Sequence, residues 1–188
     1  MQRSDYDRRA KSFTGKDRDK IVGNYRVHDA WEPYSKMIEG FNTHDMVCLD
    51  FGCGPGRNIL KYGDKFKRID GVDISKVALD KASEWLDKNG YKKDYQLILC
   101  NGVDLSNISD ESYDLVHSTI TLQHICVHEI RYNYFSEFYR IIKPDGWITI
   151  QMGYNDIPVS DWKKTNYRMR KGGNLYGYYE NAYDRPRS

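Results

Sequence analysis

Apolar and polar positions follow two periods along the chain, and these periods predict strands that alternate with helices. Short apolar runs bounded by glycine or charged residues predict β-strands. These runs are MVCLDF (46–51), RIDGVDI (68–74), YQLILC (95–100), YDLVHSTI (113–120) and WITIQM (147–152). Apolar residues three and four positions apart predict helices over 31–41, 56–66, 75–90 and 125–142. Such alternation favours an α/β fold in which helices cover both faces of a parallel sheet.

Length and composition favour one domain over residues 1–188, since 188 residues with 39% hydrophobic positions suffice for a single core. Apolar runs stay far below the roughly 18 residues of a membrane span, and the first residues lack the apolar centre of a signal peptide. We therefore expect a cytoplasmic protein without membrane association. Four cysteines, at 48, 53, 100 and 126, have irregular spacings that match no metal site, so we expect buried free thiols and no metal.

Charge is distributed unevenly, although the net charge is only +2. Residues 1–26 carry a net charge of +4 and residues 162–188 carry +5, so the middle of the chain is acidic. Basic, tyrosine-rich ends could attract an anionic partner such as nucleic acid. The simpler interpretation, solvated terminal segments, is favoured because the sequence contains no recognisable nucleic-acid-binding module.

In the stretch VCLDFGCGPG (47–56), a predicted strand ends close to the acidic residue Asp50, and a glycine-rich loop follows. Parallel sheets bind ligands at the carboxyl ends of strands, and glycines there let a ligand approach the backbone. The glycines follow G-x-G-x-G, and Arg57 occupies the third glycine position of the dinucleotide pattern G-x-G-x-x-G. Asp50 would repel a pyrophosphate and attract a cation. The loop therefore favours a positively charged nucleoside over a nicotinamide cofactor.

These residues resemble the class I S-adenosylmethionine-dependent methyltransferases, whose first motif is hhDhGCGxG. The resemblance continues through GVDIS (71–75), LCNGVDLS (99–106), YDLVHSTITLQHI (113–125) and RIIKPDGWITIQ (140–151). It implies a Rossmann-like, doubly wound, mostly parallel sheet with a cofactor-binding core over about 45–152. It also implies S-adenosylmethionine as cofactor and S-adenosylhomocysteine as product.

The resemblance assigns cofactor contacts to the first two motifs. Asp50 and the loop glycines Gly52, Gly54 and Gly56 would hold the aminocarboxypropyl end of the ligand. Asp73 would accept hydrogen bonds from both ribose hydroxyls, and its alternative role is to cap the helix that follows.

The segments after the third and fourth strands would complete the cofactor site. Where the family has Gly-Asp-Ala, this chain has Asn101, Gly102, Val103 and Asp104, so Asn101 and Asp104 compete for the adenine amino group. Further expected neighbours of the cofactor are Ile74, Leu105 and Ser118, although Ile74 and Leu105 could equally belong to the core.

Methyl transfer needs a general base only when the nucleophile loses a proton, and His124 is the candidate because it follows the fourth strand. It could instead cap the next helix or contact the cofactor. The chain lacks the Asp/Asn-Pro-Pro-aromatic tetrad and the Pro-Cys pair of base-modifying enzymes, which favours a small-molecule or glycan acceptor. Two alternatives remain: a catalytically silent cofactor-binding subunit that docks on a partner, and an RNA-associated methyltransferase.

Both ends depart from the expected pattern. Residues 153–188 have too little apolar periodicity for the two strands that ordinarily complete this sheet, so we expect a shortened or atypical C-terminal strand pair. The segment NLYGYYENAY (174–183) could form an edge strand and a lid. An open sheet edge favours a homodimer. Residues 1–30 could close over the cofactor as a wall of the substrate pocket.

Overall fold

A computed structural model of the chain describes residues 2–11 and 37–151. Four helices and five strands lie in this part of the chain. In chain order they are α1 (Gln2–Lys11), β1 (Val47–Phe51), α2 (Arg57–Tyr62), β2 (Arg68–Asp73), α3 (Lys76–Lys88), β3 (Leu97–Leu99), β4 (Tyr113–Thr119), α4 (His128–Ile141) and β5 (Ile142–Gln151).

The five strands form one sheet in the order β3-β2-β1-β4-β5, and every neighbouring pair is parallel. Strand order runs outward from β1 in both directions, so it reverses between β1 and β4. Ligands bind parallel sheets outside the carboxyl ends of strands at such a point. The predicted doubly wound α/β fold is confirmed.

Two apolar clusters hold the layers together. In the first cluster, α4 packs against β1. The centroid of the Phe51 ring lies 4.6 Å from the centroid of the Tyr134 ring and 4.9 Å from the centroid of the Phe138 ring. The other cluster joins α2 and α3 to the sheet through Ile59, Leu79 and their neighbours. Helices thus pack on the sheet through apolar side chains, as the 3.6-residue periodicity predicts.

Local sequence explains where the helices begin and end. The Ser75 side chain accepts a hydrogen bond from the Ala78 N–H (3.1 Å) and caps α3, and Gly90 follows the helix with φ 72°. The helix predicted over 56–66 is wrong in length, because α2 ends at Tyr62 and a 3₁₀ turn spans Gly63–Lys65. A Cβ at Gly63 would stand 2.3 Å from the Tyr91 hydroxyl oxygen, so a side chain at this position would clash with Tyr91. Glycine therefore lets the chain turn here.

The segment KPDG (143–146), a turn sequence between the predicted helix over 125–142 and the predicted strand over 147–152, is instead a wide irregularity within β5. Tyr113 pairs with Ile142 and Leu115 pairs with Trp147, so four residues of β5 lie opposite one residue of β4. Asp145 lies in the left-handed region at φ 63°. These four residues thus interrupt the regular pairing of β5 with β4. The strand still begins directly after α4.

Several expectations lie partly or wholly outside the described residues. These are the helix over 31–36, the pocket wall over 12–30, and the strand pair, edge strand and lid beyond Gln151. Residues 37–41 of the predicted first helix are described, and they contain a turn with Gly40 at φ 88°. Cys48, Cys53 and Cys100 are buried thiols as predicted, whereas Cys126 is partly exposed. In the part of the chain described, no helix is long and apolar enough to cross a membrane.

Candidate functional site

A cavity of about 490 Å³ opens at the carboxyl ends of β1, β2 and β4. Its volume falls in the range of small-molecule and cofactor sites. Its wall includes the glycine loop (52–56), the end of β2, the segment after β3, the 120–125 segment after β4, and α1. Residues of α2, α3 and α4 complete it. Motifs that are distant in sequence therefore meet at the point where strand order reverses.

The three glycines of the glycine loop have different surroundings. At Gly52 (φ 76°) a Cβ would stand 2.2 Å from side-chain atoms of Thr121, so the 120–125 segment packs directly on the loop. At Gly54 (φ 52°) a Cβ would meet nothing within 4 Å, and this residue lines the cavity. At Gly56 (φ 81°) a Cβ would stand 3.1 Å from the Cβ of Ala82, which lets α3 approach. Of the three, Gly56 is absent from the cavity wall.

Asp73 ends β2 and lines the cavity. Its Oδ2 accepts a hydrogen bond from the Gly54 N–H (2.9 Å), and its Oδ1 accepts one from the Ser75 N–H (2.8 Å). Burial raises the pKa of this carboxyl, and the two backbone bonds partly offset that effect. Both roles weighed from the sequence are therefore compatible: Asp73 fixes the loop and α3, and a carboxylate retains further lone pairs for a ligand.

Asp50 lies beneath the glycine loop rather than at its mouth. Its side chain is 1% exposed and does not line the cavity. The Asn58 amide donates to Asp50 Oδ1 (3.0 Å), and Asn58 itself reaches the cavity wall. Burial raises the pKa of Asp50 to about 7, against the lowering effects of Asn58 and Arg57. Any influence of Asp50 on a ligand therefore acts through its charge and through Asn58.

The segment after β3 places Cys100 and Gly102, rather than Asn101 and Asp104, at the cavity. Asn101 donates to Asp104 Oδ1 (2.8 Å) and accepts from the Asp104 N–H (2.9 Å), so the exposed Asn101 and the half-buried Asp104 close a turn. Neither lines the cavity, whereas Cys100, Gly102 and Ile74 do.

Two further expected residues lie in the interior. Leu105 is fully buried in the apolar cluster under α4, which is the core role left open by the sequence. The Ser118 hydroxyl donates to the carbonyl of Phe51 (3.0 Å) and joins β4 to β1. Both are absent from the cavity wall.

The 120–125 segment carries His124 to the cavity. Ile120 has φ 64°, an uncommon conformation for a β-branched residue, and its N–H donates to Gln151 Oε1 (2.8 Å). Leu122 is fully buried and anchors a 3₁₀ turn that ends at His124. His124 lines the cavity, and so do Ile120 and Thr121, which the sequence reasoning missed. No periodicity in this short segment indicates which side chains face a ligand.

Helix α1 forms the remaining wall with Tyr6, Arg9 and Ala10. It is tied to α3 because the Ser75 hydroxyl donates to Asp7 Oδ1 (2.5 Å). Of the segment 1–30, α1 therefore lines the cavity, and its closure over a cofactor stays a prediction. Within the described residues, no group of His, Cys, Asp and Glu side chains is arranged to hold a metal ion.

Comparison with known families decides the relationship. The sequence model described as "Methyltransferase domain" matches residues 49–150. The chain belongs to the methyltransferase-domain family. This match confirms the resemblance drawn from the sequence, and with it S-adenosylmethionine as the cofactor that the family implies.

Curated relatives of the methyltransferase domain are longer proteins. The biotin biosynthesis bifunctional protein BioHC of Teredinibacter turnerae is 33% identical over 132 residues, which are 66% of this chain and 22% of BioHC. An uncharacterized protein of Haemophilus influenzae is 30% identical over 111 residues, which are 58% of this chain and 43% of that protein. The chain thus spans less than half the length of either relative.

Solved methyltransferase structures share the fold. Haemonchus contortus phosphoethanolamine N-methyltransferase 2, solved with S-adenosyl-L-methionine, is 25% identical with a TM-score of 0.67; the match covers 97% of this chain and 43% of that one. A putative methyltransferase of Haloferax volcanii, in complex with the Trm112 methyltransferase activator, is 19% identical with a TM-score of 0.66. That match covers 89% of this chain and 67% of the other.

Proposed function

We propose that the protein transfers the methyl group of S-adenosylmethionine to an oxygen or nitrogen nucleophile of a small molecule or sugar. The observation that carries this proposal is the wall formed by Gly54 and Asp73. Gly54 leaves open space where a side chain would stand, and the Asp73 carboxylate holds the loop in that position. A backbone-lined surface beside a carboxylate suits the aminocarboxypropyl chain and ribose of this cofactor.

The cofactor would lie across the ends of three strands. Gly52 and Gly54 would approach its aminocarboxypropyl chain, and Asp73 would accept from the ribose hydroxyls. Ile74 and Gly102, both in the cavity wall, would border the adenine ring. Bound there, the cofactor supplies an electrophilic methyl group.

Catalysis would consist largely of alignment and exclusion of water. The cavity walls hold a nucleophile in line with the bond that breaks, which lowers the entropic cost of reaction. His124 lies in the wall and would accept the proton from a nucleophile that loses one. Tyr6 and Arg9 would border the acceptor side, because α1 lines the cavity and carries none of the expected cofactor-binding residues.

The decisive experiment is a calorimetric titration of S-adenosylmethionine, S-adenosylhomocysteine and NAD into the wild type and Asp73→Asn. We expect both adenosyl ligands to bind the wild type with micromolar affinity, and NAD not to bind. The amide of the variant cannot accept all the hydrogen bonds of the carboxylate, so affinity should fall at least about tenfold, or about 1.4 kcal/mol.

Asp94→Asn is the matched control, since Asp94 is an exposed carboxylate in the loop before β3, far from the carboxyl ends of the strands. Its affinity should equal that of the wild type. Thermal unfolding of each variant separates loss of ligand from loss of fold. Absence of adenosyl-ligand binding by the folded wild type would show the proposal to be wrong.

A further inference from the structure

Helix α1 presents one of its faces to the cavity. Tyr6, Arg9 and Ala10 line the cavity, and their spacing of three and four residues places them on the same side of the helix. Ala10 is buried, so this side packs against the domain. The hydrogen bond from Ser75 to Asp7 holds α1 against the start of α3. The three side chains are therefore fixed beside the carboxyl ends of the strands.

The guanidinium of Arg9 lies beside the aromatic ring of Tyr6. Arg9 Cζ is 5.9 Å from the centroid of that ring, within the range of a cation–π contact. A guanidinium carries five N–H donors in a planar fork, which matches the oxygens of a carboxylate or phosphate. The phenol hydroxyl of Tyr6 can donate a further hydrogen bond. This side of the cavity is therefore suited to an anionic group.

Carboxylates are sparse in the cavity wall. Among the described residues of the wall, Asp73 is the only acidic side chain, and the proposed function assigns it to the ribose. Asp7 and Asp50 carry nearby carboxyl groups, but both are absent from the wall. An acceptor with an ammonium group would meet the sulfonium of the cofactor and the guanidinium of Arg9, and like charges repel each other. The wall therefore disfavours a cationic acceptor.

A second arginine of the wall lies closer in the chain to the part of the site assigned to the cofactor carboxylate. Arg57 begins α2 directly after the glycine loop, is 9% exposed and lines the cavity. Under the proposed function, that loop approaches the aminocarboxypropyl chain, which ends in the single carboxylate of the cofactor. Arg9 belongs to a different element, α1. Two arginines and one cofactor carboxylate leave Arg9 for an anion of the acceptor.

We propose that the methyl acceptor carries a carboxylate or phosphate group and that Arg9, beside Tyr6, binds it. This inference rests on the proposed function and narrows its substrate class to anionic small molecules and sugars. Charge-assisted bonds from a guanidinium are shorter and stronger than those between neutral groups. Fixing the anion at α1 orients the rest of the acceptor, so that its oxygen or uncharged nitrogen faces the methyl group.

Matched probes test the preference for an anion. Wild-type protein saturated with S-adenosylhomocysteine is titrated with benzoate and benzamide, which differ in charge, and separately with phenyl phosphate and phenol. NMR chemical shifts of the protein report binding. We expect at least one anion to bind about tenfold more tightly than its neutral partner, and the two pairs distinguish a carboxylate site from a phosphate site. Equal affinities within both pairs, or no binding by any probe, overturn the inference.

Two variants of adjacent residues locate the effect. Arg9→Gln should lower the affinity for the preferred anion about tenfold and leave that of its neutral partner unchanged. Arg8→Gln removes the same charge from the same helix, but Arg8 bonds to Asp5 and lies outside the cavity wall. It should therefore bind all probes like the wild type. Equal losses in the two variants would reveal a general effect of charge and contradict a site at Arg9. Thermal unfolding checks that both variants are folded.

Calorimetry with the adenosyl ligands separates the acceptor from the cofactor. S-adenosylmethionine and S-adenosylhomocysteine should bind Arg9→Gln with the same affinity as the wild type. A loss of about tenfold for both ligands would assign Arg9 to the cofactor carboxylate, which overturns this inference while the proposed function stands. Failure of both ligands to bind the folded wild type overturns the proposed function itself.

Discussion

At the scale of single residues, Gly52 and Gly54 offer a direct test of the loop. Gly52→Ala places a Cβ 2.2 Å from Thr121 atoms in a left-handed backbone, and we expect it to lower the free energy of unfolding by about 2–5 kcal/mol. Gly54→Ala carries only the left-handed cost of about 1–2 kcal/mol, because nothing lies within 4 Å. Urea denaturation measures both.

The Thr121→Gly background provides the control for this comparison. Removing the threonine side chain eliminates the close contact, so Gly52→Ala should cost less there than in the wild type. The cost of Gly54→Ala should be the same in both backgrounds. Equal costs for the two alanine variants in the wild type would contradict the described packing.

Sequence reasoning identified the segments of the site more accurately than it identified which of their residues line the cavity. Asp73, Gly54 and His124 line the cavity as expected. Asp50 and Asn101 do not, because a motif gives the place of a residue in the chain but not whether its polar atoms are used internally. The cofactor contacts themselves remain predictions.

At the scale of elements, Ser75 couples α3 to α1. Ser75→Ala removes the acceptor for the Ala78 N–H and the donor to Asp7, so we expect a loss of about 1 kcal/mol from the cap and faster amide exchange in α1. Hydrogen exchange by mass spectrometry measures both helices. Asp7→Ala should accelerate exchange in α1 but leave α3 unchanged. Slow α1 exchange in both variants would show that this bond does not hold the helix.

Strands were predicted more accurately than the connections between them. The predicted ends of β1, β2 and β4 agree with the structure within one residue, because apolar runs bounded by charge identify buried strands. The irregularity of β5 was missed, since Lys-Pro-Asp-Gly is an equally good turn sequence. Pairing with β4 decides between a turn and a bulge, and that pairing is not local information.

At the scale of the whole molecule, stability of the unliganded protein should depend on the charge of Asp50. Its pKa is about 7 when folded and near 4 when unfolded, so the unfolded state binds fewer protons between these values. Wild-type stability therefore falls as pH rises from about 4 to 7, by up to about 4 kcal/mol from this group. Asp50→Asn removes that loss, and its advantage should grow over the same interval and then level off.

Chemical denaturation at pH 5, 6, 7 and 8 measures this difference. Asp94→Asn, an exposed carboxylate replacement, should differ from the wild type by a constant amount. An advantage of Asp50→Asn that shrinks with rising pH would mean that the carboxyl is stabilised as an anion in the folded protein.

The contact between Thr121 and Gly52 has a consequence for how this chain can evolve. Because the 120–125 segment packs on the glycine loop without a gap, a substitution in one displaces the other. Under the proposed function, substitutions at residues 120–125 would therefore carry a cost in cofactor affinity. Helix α1 borders the same cavity and joins the domain through α3. Under the proposed function, substitutions at the exposed positions of α1 can change acceptor recognition and leave the glycine loop in place.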